Sequence, residues 1–176
     1  MSLPQSLLLP VEGFCVSRAE GQHMLSFNYM LDFFEVSAQY MAIELMALLR
    51  QEIITGKEPS KEVLTVVNKI DKKRPLAFGD WCNEMLPQLL QACQQMRIEH
   101  PLAIALLRAF KSRNLYIGNK REQSIVAIRN EYRGHGFTLA DDIYADLVEK
   151  MLPRFEELIS LLDNVEIHMD ADTLYP

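Results

Sequence analysis

From about Gly21 to Glu52, apolar residues recur at spacings of mostly three and four. Leu25, Tyr29, Phe33, Val36, Tyr40, Met41, Ile43, Leu45 and Leu48 carry the pattern and cover much of a helical circumference. They predict a long central helix buried on several sides, ended by Gly56. Pro59-Ser60 then opens a short helix to about Lys69, with Val63, Leu64, Val66 and Val67 as its apolar side. Lys72-Lys73-Arg74-Pro75 reads as a basic turn. Gly79-Asp80 is placed to cap a helix from Trp81 to Met96, which Pro87 should kink or truncate. Pro101 suits the first position of the next helix, through Leu102, Ile104, Leu106, Leu107 and Phe110. A loop with Gly118 leads to a helix from about Lys120 to Tyr132, closed by Gly134 and Gly136. Thr138 and Asp141 form an approximate capping box for a last helix to about Leu162, which Pro153 is expected to split.

The two ends follow no helical period. Residues 1–20 hold two prolines and a glycine, and they read as an N-terminal arm lying on the domain or an ordered leader. Val165 to Asp170 alternates like a strand, yet no partner strand exists in the sequence and an isolated strand is unstable. Residues 164–176 are therefore read as a tail, or as the start of a linker to a downstream domain. The expected fold is an all-α bundle of five or six helices over residues 21–163, with no significant sheet before residue 164.

Composition narrows the class. The 176 residues suit one domain. Apolar residues at 49% and charged residues at 24% describe a globular chain rather than a disordered one. A net charge of −6 excludes a histone-like coat for nucleic acid. The charge is uneven: Arg108 to Arg133 holds seven Lys/Arg against two Glu, and Thr138 to Asp172 holds ten Asp/Glu against two Lys/Arg. The three cysteines, Cys15, Cys82 and Cys93, form no CxxC, so a reducing cytoplasm is expected and Cys82 and Cys93 read as small core residues. The apolar run at Ser6 to Pro10 is too short for a signal peptide. The longest apolar segment, Met24 to Leu49, carries Asp32, Glu35 and Glu44 and is not a membrane span.

The chemistry concentrates in Ile125 to Gly136. Ile125, Ile128 and Tyr132 define an apolar stripe that Val126 extends, and Arg129 falls inside that sector with Asn130 beside it. An arginine there needs an anion, a carboxylate or an interface, because burying it unpaired is costly. His135 follows the terminating glycine, so helical spacing no longer limits its direction. A guanidinium grips phosphate through a planar fork, and a histidine titrates near neutrality. Together they could cleave RNA without a metal: the histidine would take the proton of a ribose 2′-hydroxyl, and the arginine would stabilise charge on phosphorus. The alternative is structural. Arg129 would tether the helix to a carboxylate such as Asp32 or Glu35, and His135 would cap a helix C-terminus.

Arg129-Asn130, four intervening residues and His135 match the R-polar-x(4–6)-H motif, and the chain thereby resembles the HEPN domains (higher eukaryotes and prokaryotes nucleotide-binding). A long apolar helix upstream and another long helix downstream fit as well. The resemblance covers about residues 21–163. It implies a small helical bundle, commonly a homodimer, in which Arg129 and His135 are the catalytic pair and Asn130 their polar support. Many such domains are metal-independent endoribonucleases of defence and stress systems. Others are non-catalytic dimerisation or interaction modules, often at the N-terminus of larger proteins. The resemblance implies no cofactor and no metal, with RNA, a second copy and a downstream domain as candidate partners. In some members a tyrosine two residues after the histidine is modified; Phe137 stands there, which puts that control in doubt.

RNA binding by so acidic a chain would require Lys111, Arg113, Lys120, Arg121 and Arg133 to cluster. Arg113-Asn114 repeats the Arg-Asn pair without a histidine at the needed distance. His23, His100 and His168 are isolated and suit surface or capping roles. No phosphate-binding glycine loop or nucleophile elbow occurs. Trp81, Tyr29, Phe33, Phe34 and Tyr40 read as core rather than as a base-stacking platform.

Overall fold

A computed structural model of the chain describes residues 3–68, 76–112, 115–118, 123–133 and 139–164. Their secondary structure is entirely helical. The order is α1 (Gln5–Ala19), α2 (His23–Ile54), α3 (Lys61–Val67), α4 (Phe78–Asp80), α5 (Leu86–Gln95), α6 (Pro101–Ser112), α7 (Ile125–Tyr132) and α8 (Asp141–Asp163). A π-helical turn, Trp81–Met85, joins α4 to α5 in one rod. The protein is an all-α bundle, as expected, and carries α1 in addition to the five or six helices expected. The strand-like segment 165–170 lies outside the described residues.

α2 is the central element and touches α1, α3, α5, α7, α8 and the π turn. Its core side is aromatic. Phe155 of α8 lies 4.7 Å from Phe14 of α1 and 4.9 Å from Phe33 of α2, ring centre to ring centre. Phe34 stands 6.2 Å from the same ring. These tilted and edge-on pairs each add to the burial of the rings themselves. Two polar contacts cross this core: the Ser17 and Ser26 hydroxyls meet at 2.9 Å, and Ser37 meets the buried Tyr116 hydroxyl at 2.8 Å. Burial pushes the Cys93 thiol up to about 12 and raises that of Cys82 further, so both sit neutral in the core as small apolar residues.

Four sequence expectations change. Residues 5–19 are a helix, not an irregular arm. Leu7, Val11 and Phe14 are buried against the bundle while Leu9 and Val16 stay exposed, so apolar residues occupy both sides and the period is faint. Asp80 is not the cap of a helix at Trp81: the helix begins at Phe78, and the Asp80 carboxylate accepts the Ala77 N–H at 2.9 Å. Pro153 does not split α8, which runs unbroken to Asp163. Pro87 lies in the first turn of α5, directly after the π turn. A proline ring excludes an ordinary bond to the carbonyl four residues back, and the wide turn accommodates it. The fourth change concerns α2, where Leu25, Tyr29 and Ile43 are exposed rather than core.

Candidate functional site

α7 is short and well anchored. Ser124 caps it, its hydroxyl accepting the Ala127 N–H at 3.2 Å, and the Ile125 N–H donates to the Tyr116 carbonyl at 2.7 Å. Ile125, Val126 and Ile128 are buried. The Tyr132 ring meets Phe27 of α2 edge-on at 6.4 Å. Below, α4 approaches so closely that a Cβ added at Gly79 would stand 3.3 Å from Val126.

This docking turns the arginines of α7 toward α2. Arg133 donates from Nη1 to Asp32 Oδ1 at 2.6 Å. Arg129 lies one turn earlier, with Nη2 3.9 Å from Glu35 Oε2. The pairs 129–35 and 133–32 run in opposite senses along the two helices, so α7 lies antiparallel to α2. A spacing of four on α7 and three on α2 suffices, because each places residues one turn apart on the same face. Arg129 is 36% exposed, and its Nε is buried without a hydrogen-bond partner. Its Nη1 reaches Asn130 Oδ1 at a long 3.4 Å. The Arg129 guanidinium therefore sits beside a carboxylate without closing a short bond to it. Beneath, the negative charge of Glu35 joins burial in raising the Cys82 thiol.

Among the candidate site residues, the described ones are Arg129, Asn130 and Arg133, and α7 brings these three together. His135 lies outside the described residues, as do Arg113, Lys120 and Arg121 of the suggested basic cluster. Lys111 is exposed on α6. Arg133, read from sequence as a candidate RNA contact, faces Asp32. Of the isolated histidines, His100 caps α6: its Nδ1 accepts the Leu102 N–H at 3.3 Å, a role open only to the neutral ring that its burial favours. His23 stands 3.9 Å from Asp141, and His168 lies outside the described residues.

Sequence reasoning passed over Arg154. It is only 3% exposed, inside α8, and donates to the Gln123 carbonyl at 2.9 Å, holding the approach to α7. Its position on the apolar stripe of α8, next to Phe155, was the available signal. Two surface grooves lie apart from α7. One, of about 320 Å³, runs between α6 and α8 past Ala105 and Leu161. The other, of about 490 Å³, runs between α3 and α5 past Val66 and Gln91. Among the described residues no helix is long and apolar enough to cross a membrane. No family model, curated protein or solved structure matches the chain.

Proposed function

We propose that this chain is a HEPN-like helical interaction module in which the arginines of α7 serve as a clasp rather than as catalytic groups. The observation that carries the reading is the carboxylate facing each of them: Asp32 at Arg133 and Glu35 at Arg129. A phosphate approaching this edge meets two acids one helical turn apart, in a protein whose net charge is already −6. Coulomb repulsion from such a pair opposes an anionic ligand, and phosphate contacts supply most of the affinity of a nucleic-acid binder. The same pairs are well suited to fixing α7 on α2.

One observation favours a second reading, a metal-independent endoribonuclease of defence or stress response. Arg129 makes no short bond to Glu35, and its Nε has no partner, so its fork retains donors for an oxyanion. In that reading Arg129 and Asn130 form the anion-binding half of the site. His135 moves the proton, and Arg113, Lys120, Arg121 and Arg133 contact the RNA backbone.

Incubating the purified chain with single-stranded RNA in EDTA separates the two. The module reading expects no cleavage by the wild type. Cleavage that disappears in both Arg129→Ala and His135→Ala, with melting temperatures unchanged, establishes the nuclease instead. Loss of a general acid or base costs about a hundredfold or more.

A further inference from the structure

Helix α1 is apolar on two opposite sides. Leu7, Val11 and Phe14 are buried against the bundle, while Leu9 and Val16 point outward and are 58% and 59% exposed. Leu9 and Val16 are seven residues apart, so they stand in one line two turns apart, roughly 10 Å at 1.5 Å per residue. A helix that is apolar all round is ordinarily covered all round. Here only the inner side is covered.

The outward side also has the shape of a receptor for a second helix. Leu9, Glu12, Gly13 and Val16 occupy positions i, i+3, i+4 and i+7, the four that frame a hole for a side chain of a facing helix. Gly13 adds no side chain to the frame, and the Tyr29 ring of α2 closes it on that side: a Cβ added at Gly13 would stand 2.5 Å from the ring. Tyr29 is 37% exposed, and Leu25, one turn before it on α2, is 40% exposed. The apolar surface therefore continues from α1 onto α2, and contiguous surface of this kind marks an interaction site.

Charge selects the occupant. Glu12 is exposed within the frame, and Glu20 is exposed at the helix end, where its carboxylate accepts from Gln22 Nε2 at 2.7 Å. The one base of α1, Arg18, is turned toward α8: its Nη2 donates to Glu149 Oε1 at 2.9 Å, and its guanidinium lies 5.7 Å from the centre of the Phe14 ring. The outward face of α1 thus carries acids without a base. A second copy docked through it about a two-fold axis would bring Glu12 toward its own counterpart, which like charge opposes. An anionic lipid surface meets the same repulsion. An apolar stripe edged with Lys or Arg matches the face in both shape and sign.

We propose that the outward face of α1, framed by Leu9, Glu12, Gly13, Val16 and Tyr29, is a docking site for an amphipathic helix of another protein whose apolar stripe is edged by Lys or Arg. An apolar side chain of that helix fills the hole, and the cations beside it meet Glu12 and Glu20. This is helix-in-groove recognition, with affinity from the apolar anchors and orientation from the charges. It rests on the interaction-module reading and names the class of partner for it.

Fluorescence anisotropy of a labelled synthetic peptide, titrated with the full chain, tests this. The peptide carries Leu at the a and d positions of about three heptads, Lys at e and g, and Ala elsewhere; a twin carries Glu in place of Lys. The chain should bind the Lys peptide at micromolar concentration and the Glu twin at least about tenfold more weakly. Its affinity for the Lys peptide should fall as salt rises. Val16→Lys should weaken binding about thirtyfold, as expected of a central contact. Ile54→Lys, which alters an apolar residue 84% exposed at the far end of α2, should leave binding unchanged. Glu12→Lys should narrow or reverse the preference between the two peptides. If Val16→Lys lowers the melting temperature, Leu9→Lys reads the same face. The proposal is overturned by a wild type that ignores the Lys peptide at high micromolar concentration, by equal binding of the two peptides, or by equal losses in Val16→Lys and Ile54→Lys. Binding to phosphatidylcholine vesicles in place of the peptide overturns it as well and assigns the face to a membrane. RNA cleavage in EDTA reads separately: it would overturn the module reading and leave the peptide binding standing, whereas failure to bind the peptide would leave the α7 clasp as described.

Discussion

The two sides of α2 hold their neighbours by different physics. Toward α1 and α8 the seam is buried and aromatic, with Phe155 meeting Phe14, Phe33 and Phe34 and a buried hydroxyl pair between Ser17 and Ser26. Toward α7 the seam is short, and much of what closes it is charge: Asp32 with Arg133, and Glu35 near Arg129, all more than a quarter exposed. Apolar burial is insensitive to salt and scales with area. Half-exposed ion pairs are screened and contribute little each. The first seam therefore sets the stability of the bundle, while the second fixes only how the arginines of α7 point.

The largest expected effect tests the aromatic seam. Phe155→Ala removes a ring that touches three others and should destabilise the protein by about 3–5 kcal/mol. The loss, read by urea unfolding, should be the same at low and high salt. A loss under about 1 kcal/mol would mean that the ring cluster is not the keystone described above.

The thiols test the dryness of the same core. At pH 8 a thiol reagent should label Cys15, which is exposed, and reach Cys82 and Cys93 only at the rate of unfolding. Rapid labelling of all three would show an open core. The sign of the pH dependence follows. In the unfolded chain the thiols titrate near about 8.5, whereas Cys93 holds its proton to about 12 and Cys82 beyond. Between those values the folded state binds more protons than the unfolded one, so stability is intact below pH 8 and falls as pH rises above it. Replacing both cysteines with alanine should flatten that alkaline slope.

Ser26→Ala removes the hydroxyl pair of the α1–α2 seam, while the Ser17 hydroxyl keeps its bond to the Phe14 carbonyl at 3.2 Å. It should cost about 0.5–1.5 kcal/mol, the net worth of one hydrogen bond. Ser17→Ala combined with Ser26→Ala should cost less than the sum of the two single changes, because both remove the same bond. If the double variant is worse than the sum of the two single ones, the hydroxyl pair is not what holds the helices together there.

The smallest effects belong to the ionic seam. Arg133→Ala should cost about 0.2–1 kcal/mol, and a double-mutant cycle with Asp32→Ala should return a coupling in the same range that fades in 1 M salt. Arg129→Ala should cost less than Arg133→Ala, because 3.9 Å from Glu35 is beyond hydrogen-bonding range. A cost of several kcal/mol for Arg129→Ala would assign it the fully buried tether role that its 36% exposure argues against.

Much of this was legible in the residues themselves. The three-four spacing of α2 and α8 announces both helices, and Ser60 and Pro101 mark the starts of α3 and α6 within a residue of where they fall. α1 was hidden because its leucines and Val16 lie on both sides of the helix, so no stripe emerges from Leu7, Leu9, Val11 and Val16. At the candidate site, the placing of Arg129 in an apolar sector called for an anion, a carboxylate or an interface, and the structure sets it 3.9 Å from the Glu35 carboxylate. Asp32 and Glu35 could be named as partners from their place on the central helix. That Arg133, a candidate RNA contact, makes the closer of the two pairs was not visible, because its direction depends on where α7 ends against α2.

The sequence by itself determined most of the helices after α1, where most of them stop, and which residues could carry charge into an apolar setting. These are properties of a few consecutive residues: periodicity, caps and the conformational limits of proline and glycine. Only the tertiary structure decided that α7 runs antiparallel to α2, and that Glu35 rather than Asp32 faces Arg129. The Arg133–Asp32 bond joins positions 101 apart in the chain. Nothing local measures such a separation. It is set by how Ile125, Ile128 and Tyr132 pack into the bundle, and the charges follow where that packing carries them.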